Sequence, residues 1–463
     1  MALKKAFVTV GLGFGDEAKG ATVDYLCRKH KADLVVRYSG GSQCGHNVEL
    51  PGGLRHCFSQ FGSGTLAGVP TYIGPNVIIY PEAMRNEAGH LKELGVAWPF
   101  DMLTVDPKCL VSTVYHRAVN RLKEISRGAS KHGSCGHGVG ETRNYWLKYG
   151  QDAIFAEDLS CTETLWQKLS LMRQRYLLDM QEFIDRVPRD AEQLKVFGEP
   201  VTELALRLGS GTIPKRGKMP INFNVAIFEG AQGVLLDEWN GFHPYTTWST
   251  VTPYHAHELI AEARMSVGNG YVHEVEVTTV GCTRPYSTRH GAGPLPGYDE
   301  AFTKHVNDPG NPWNEWQENF RVGWFDMPLM EYAAKVVGKI DYLAVSCVDH
   351  LKTWSKPIKA SCIDHLKTWS KPIKASCIDH LKTWSKPIKA RKKSLWEHPR
   401  EPQYRMSVMS ANAKKPFLTP HQSVEEFQET TFDEIMEMLS RIAPIGVMAD
   451  GPTWEHRVSS WEK

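Results

Sequence analysis

The sequence has no C-x-x-C pair among its ten cysteines and no run near the roughly 18 apolar residues that span a bilayer. Its formal net charge is only +2. The first absence excludes a paired-thiol redox motif and the usual zinc ribbons, so the cysteines read as cytosolic thiols. The second excludes a membrane-spanning helix. The third removes any general pull toward nucleic acid or membrane surfaces. The apolar stretch "AFVTVGLGF" near the N-terminus is short and broken by glycine, so it reads as a buried strand and not as a signal peptide. With 41% hydrophobic and 23% charged residues over 463 positions, the expectation is a soluble cytoplasmic protein, with no nucleic-acid and no membrane partner.

Even the small positive charge has a local source. "SCVDHLKTWSKPIKA" at 346–360 is followed by "SCIDHLKTWSKPIKA" at 361–375 and again at 376–390. Each copy carries three lysines and one aspartate, so without the two extra copies the chain would stand at −2. Solenoid units run to about 20–50 residues and drift in sequence, so this threefold 15-residue tandem repeat reads as a recent duplication and a surface insert. Only one copy can continue the strand "DYLAVS", and the other 30 residues must loop out. The basic run "KARKKS" that follows reads as a solvated tail of that insert.

Residues 5–38 show a βαβ pattern: "KAFVTVG" is β-rich, "AKGATVDYLCRKH" has apolar positions at helical spacing (Val23, Leu26, Cys27, His30), and "ADLVVRY" is a second strand. Further strands are expected at "PTYIG", "NVAIFEG" and "DYLAVS", and a helix over "ETLWQKLSLMRQRYLLDMQEFIDRV". The alternation predicts an α/β fold, a large, mostly parallel sheet flanked by helices, in one domain over 1–463 with no Gly/Ser linker dividing it.

The loop between the first strand and helix is "GLGFGDEAKG". A strand, a glycine-rich turn and a helix N-terminus make a phosphate site of P-loop type. Yet a Walker loop ends G-K-[ST], and here Ala18 precedes Lys19 and Gly20 follows it. Gly20 has no hydroxyl for Mg²⁺, so another oxygen must hold the metal, and Asp16 is the candidate. A second cluster, "VVRYSGGSQCGHNV", places Gly45 and His46 at the end of the neighbouring strand, where α/β sheets bind ligands.

Taken together these segments resemble the adenylosuccinate synthetase family, whose patterns run close to "GDEGKG" and "GGNNAGHT". Other segments follow in the family's order: "SGTL", "GSCGHGVG", "FEGAQGVLLD", "HPYTTWSTVT", "YSTRHGAGPLP", "FRVGWFD", "LAVSCVDHL" and "ADGP". The resemblance implies a P-loop-like fold and a homodimer. It also implies a reaction in which GTP with Mg²⁺ phosphorylates O6 of IMP before the amine of L-aspartate displaces the phosphate. Asp16 matches the family's general base and a metal ligand, His46 its general acid, and Lys19 the lysine along the phosphates. Gly45 would offer Mg²⁺ a carbonyl. Gly13, Gly15, Glu17 and Gly20 fall on the nucleotide loop, with Arg321, Asp349 and Gly451 as further nucleotide contacts. Gln232 matches the glutamine at the purine 6-position, Thr247 a 5′-phosphate contact, and Gln43, Ser134 and Cys135 substrate-loop positions. Asp349 matches the aspartate that reads guanine, whose N1–H and N2–H₂ donors suit a carboxylate.

The chain also departs from the family. The lysine of "K-L-D" is Cys347 here, and the arginine-rich aspartate loop reads "WQENFR", keeping only Arg321. An arginine that reaches across the dimer has no exact match, although Arg143 and Lys148 lie nearby. Two alternatives therefore stand beside IMP ligation. One is the same chemistry on another 6-oxopurine nucleotide or a nucleoside-antibiotic precursor; retention of Asp16 counts against the 2-aminoadenylosuccinate branch. The other is a nucleotide-binding protein without turnover.

Overall fold

The computed structural model describes residues 3–209, 214–220, 222–265, 274–361 and 428–459. Its centre is strand β1 (Lys5–Gly11), in which every residue after Lys5 is buried. Burial on both faces explains why its sequence is a continuous apolar run and not an alternation. Nine more strands join it in chain order: β2 (Leu34–Arg37), β3 (Thr71–Ile73), β4 (Leu103–Val105), β5 (Lys215–Arg216), β6 (Val225–Gly233), β7 (Glu276–Thr283), β8 (Tyr342–Val345), β9 (Ile445–Ala449) and β10 (Arg457–Ser459). Across the sheet the order is β10-β9-β8-β7-β1-β6-β2-β3-β4-β5. All neighbours run parallel except β10, which is antiparallel to β9. Because these strands run parallel, the loops leaving β1, β2, β6, β7, β8 and β9 all open at the same sheet edge. That edge is where open α/β sheets hold ligands.

Helix α1 (Lys19–His30) begins directly at the end of the glycine-rich loop. Val23, Leu26 and Cys27 pack against Phe7, Val35 and Ile227 of the sheet, and the His30 ring stacks on Phe7 at 4.2 Å between centroids. Fully burying a side chain such as Val23 or Leu26 stabilises by roughly 1.5–3 kcal/mol, so this face fixes the helix, and with it the loop, on the sheet.

The expected long helix is shorter than its sequence pattern. It spans Thr162–Asp179 and is followed by 3₁₀ turns at Met180–Glu182 and Ile184–Arg186. Phe183 leaves the helical region (φ −138°), and the turn it makes tucks both Phe183 and Val187 into the core of that lobe.

Copy one of the repeat is built into the fold. After β8 it forms a short helix, Asp349–Lys352, and a strand, Ile358–Ser361, that pairs with Phe325–Asp326 and with Gln428–Thr430. Val348, Leu351 and Ala360 are buried in the core beneath it. The remainder of the repeat, 362–390, and the basic run after it lie outside the described residues.

Candidate functional site

Three residues of the loop after β1 take left-handed backbone conformations: Gly15 (φ 99°), Asp16 (φ 63°) and Ala18 (φ 56°). Such alternation turns successive N–H groups into one concavity, a nest for an anion. The carboxylate of Glu17 sits in it. Its Oε1 accepts hydrogen bonds from Gly13 N (3.0 Å) and Gly15 N (2.7 Å), and its Oε2 lies 2.6 Å from Lys19 Nζ. Burial disfavours the charged ammonium, but the Glu17 charge and hydrogen bond outweigh it and raise the pKa of Lys19. The loop is thus held by its own ion pair.

Gly20 has a steric origin. A Cβ there would lie 2.8 Å from His46 Cβ and 2.9 Å from the His46 carbonyl carbon, too close for any real side chain. The absence of the Walker hydroxyl therefore allows the loop after β2 to pack on the start of α1.

Asp16 points away from the nest, with Oδ2 3.3 Å from His290 Nδ1. Burial alone would raise its pKa; His290, with Arg284 and Lys19 adding, holds it below the ordinary carboxylate value. His46 opens the hairpin His46–Glu49/Arg55–Phe58, and its Nδ1 lies 2.5 Å from Oε1 of Glu229 on β6. Glu229 also accepts from Ser63 N (2.9 Å) and Ser63 Oγ (2.5 Å). Burial would raise the Glu229 pKa, but Arg37, His46 and Ser63 bring it down to about 2. Burial in turn lowers the pKa of His46, the Glu229 contact opposing.

A cleft of about 850 Å³ opens at the carboxyl ends of the strands, lined by Gly15, Asp16, Glu17, Lys19, Gly20, Gln43, Gly45, His46, Ser134, Cys135, Gln232, Thr247, Asp349 and Gly451. Two candidate residues do not line it. Gly13 sits behind the nest, donating to Glu17 and accepting from Leu235 N. Arg321 donates from Nη2 to Gly291 O (2.6 Å) and Gly293 O (2.9 Å), holding the turn that follows His290.

Within the cleft, Gln232 has a strained backbone (φ 55°), and its Oε1, like Gln43 Oε1, is buried without a hydrogen-bond partner. Buried polar atoms of this kind are ordinarily satisfied, which marks both as groups awaiting a ligand. Ser134 Oγ accepts from Asn120 Nδ2, and burial raises the Cys135 thiol to about 11, so it stays neutral. Asp349 lies in the first turn of its short helix, 3.6 Å from His350 Nε2. Of the two residues noted near the cross-dimer position, Arg143 stacks over Trp146 and Lys148 pairs with Asp179.

Glu229 and His290 are the site residues that sequence reasoning missed. A carboxylate inside the apolar strand "NVAIFEG" was a signal for the first. The second had only a histidine in a small-residue turn. For a metal, no group of three or more His, Cys, Asp or Glu side chains among the described residues suffices. Asp16 and the Gly45 carbonyl line the same cleft, however, and offer hard oxygens that fit Mg²⁺ completing its shell with phosphate and water.

Comparison with known proteins agrees with this geometry. A family model described as adenylosuccinate synthetase matches residues 8–392. The chain is 31% identical over 347 residues to the adenylosuccinate synthetase of Neisseria gonorrhoeae, covering 73% of this chain and 75% of that one. In fold it is similar to the fully ligated adenylosuccinate synthetase of Plasmodium falciparum (TM-score 0.62, 18% identity), with 98% and 99% of the two chains covered. It is also similar to the succinoaminodeoxyadenylate synthetase of cyanophage S-2L, solved with dGMP and dATP (TM-score 0.58, 13% identity, 99% and 96% covered).

Proposed function

Because the chain belongs to the adenylosuccinate synthetase family of ligases, we propose that it uses GTP to join L-aspartate to IMP, giving adenylosuccinate through a 6-phosphoryl purine. The observation that carries this reading is the convergence of an ionised Asp16, a Glu229-held His46 and Lys19 on one cleft. Asp16 accepts the N1 proton of the purine as O6 attacks the γ-phosphorus and the bond to GDP breaks. A positioned base of this kind contributes roughly 10²–10⁴-fold. Glu229 takes Nδ1 of His46, which orients the ring and leaves Nε2 for the transferring phosphoryl group. Lys19 leaves Glu17 for the phosphates and offsets their developing charge. Mg²⁺, held by Asp16 and the Gly45 carbonyl, would supply further charge neutralisation. The amine of aspartate then forms the bond to C6 as phosphate departs, with Gln232 facing the 6-position and Asp349 reading the guanine of GTP.

The test is phosphate release with GTP, L-aspartate and a panel of 6-oxopurine nucleotides. Release with IMP and formation of adenylosuccinate support the reading. Release only with another nucleotide moves the same chemistry to that substrate, which Ser134-Cys135 on the substrate loop would favour. No release with any purine nucleotide and amino acid leaves a nucleotide-binding protein without turnover.

A further inference from the structure

All but one of the lysines and arginines lining the cleft are already engaged. Lys19 is held by Glu17, Lys123 by Glu141, Arg127 by Glu124, Arg284 by Asp308, Arg289 by backbone carbonyls and Arg457 by Ser346 Oγ. Arg55 has no hydrogen-bond or ion-pair partner for its side chain among the described residues. It is half-buried and begins the return strand of the hairpin whose first strand starts at His46, so it stands on the same rigid element as the proposed acid.

What it faces is equally specific. A Cβ built on Gly310 would collide with Arg55 Nη2 and lie 2.6 Å from Asn47 Nδ2 and 3.0 Å from Asp308 Oδ1. Two N–H donor groups therefore converge beside a backbone that only glycine allows so close. The nearby Asp308 is turned to other partners: it pairs with Arg284 Nη2 (3.0 Å) and accepts from Gly310 N and Asn311 Nδ2. Neither donor is bonded to Asp308, and two such converging donors fit an oxyanion, which a guanidinium can hold bidentately.

The anion has a natural source. The phosphates meet the Gly13–Gly20 loop and Lys19, whereas an amino-acid donor must bring its carboxylates to the other side of the cleft. There the segment 313–320 carries no arginine, and Asn314 Oδ1 serves Trp316 N and Gln317 N of its own turn. Arg321 is tied to Gly291 and Gly293.

We infer that Arg55, with Asn47 beside it over Gly310, anchors a carboxylate of the amino donor. The inference rests on the ligase reading, and its test separates the two. In phosphate-release assays, Arg55→Ala should raise KM for L-aspartate at least about tenfold, with KM for GTP and IMP within about twofold and Tm unchanged. Arg55→Lys should recover part of the loss, and Gly310→Ala should reproduce it by displacing the guanidinium. An unchanged KM for L-aspartate, or a rise confined to GTP, overturns the assignment, the latter making the anion a phosphate. Calorimetric titration with succinate, a dicarboxylate without an amine, needs no turnover. Succinate binding by the parent chain but not by Arg55→Ala supports the anchor even where no phosphate is released; equal binding by both, or by neither, overturns it.

Discussion

The two walls of the cleft are built on opposite terms. On the wall made by the β1 loop and the first residue of the hairpin after β2, the charges are paired within the chain: Glu17 with Lys19, Asp16 with His290, and His46 with Glu229. On the wall made by 308–321, the groups facing the cleft are neutral or an aspartate already paired, and Arg55 reaches this wall from the far end of the hairpin that begins at His46. The difference teaches where each kind of substitution acts. Groups fixed in advance around developing charge lower the barrier without reorganising, so changes on the first wall fall on kcat. Groups that only hold a substrate act equally on ground and transition states, so changes on the second fall on KM.

The sharpest break of that contrast is at Asp16. Asp16→Asn keeps the size and the His290 contact but removes the base, so kcat should fall by at least about 10²-fold with the melting temperature preserved. Turnover within a few-fold of the parent at saturating Mg²⁺ would show that the first wall owes its chemistry to another group.

Glu229 tests whether the pre-pairing also stabilises the fold. Its pKa falls from 4.5 to about 2 in the folded chain. The native state therefore favours the carboxylate, and the stabilisation is fully present above the unfolded pKa and lost as pH falls toward 2. The shift corresponds to about 3 kcal/mol at neutral pH as an order of magnitude. Glu229→Gln should lower Tm at pH 7 and flatten its decline between pH 5 and 3, while freeing the His46 ring and reducing kcat about tenfold. Parallel Tm-against-pH curves for parent and variant would rule out that coupling.

At the far end of the cleft, Asp349→Asn should weaken GTP and favour xanthosine triphosphate, since an amide can donate where the carboxylate only accepts. Discrimination of roughly 1–3 kcal/mol is expected from one bidentate base contact. It would be read as the ratio of kcat/KM for the two triphosphates. An unchanged ratio would place the guanine reader elsewhere.

What could be read in advance follows the same division. The β1 loop and His46 belong to short consecutive motifs whose glycines and charged residues carry their chemistry in the spacing, and a strand buried on both faces announces itself as an apolar run. Glu229 and His290 meet their partners only because β6 and β7 return from far along the chain to flank β1, which no local pattern reports. Arg55 had no signal at all: an arginine in a hairpin becomes distinctive only when every neighbouring cation is seen to be engaged. The over-long helix failed for a related reason. Phe183 keeps helical spacing in sequence, but the lobe buries it by turning the chain.

The smallest expected effect concerns the repeat. Copy one supplies Val348, Leu351 and Ala360 to the core, and its last strand ends at Ser361, the first residue of copy two. The strand pairs through Ala360 and Ser361 with Phe325 and Asp326, so a deletion must begin after Ser361. Removing 362–390 joins Ser361 to Arg391 and leaves every described strand whole. Lysine-rich copies punctuated by proline suit a solvated loop better than a core, and lengthening a loop costs only about 0.6 kcal/mol per doubling. The shortened chain should therefore keep kcat and both nucleotide KM values within about twofold and melt at the same temperature or slightly higher. Should it lose nucleotide binding or fail to fold, copies two and three support the guanine end of the cleft, and Asp364 or Asp379 becomes the residue to test there.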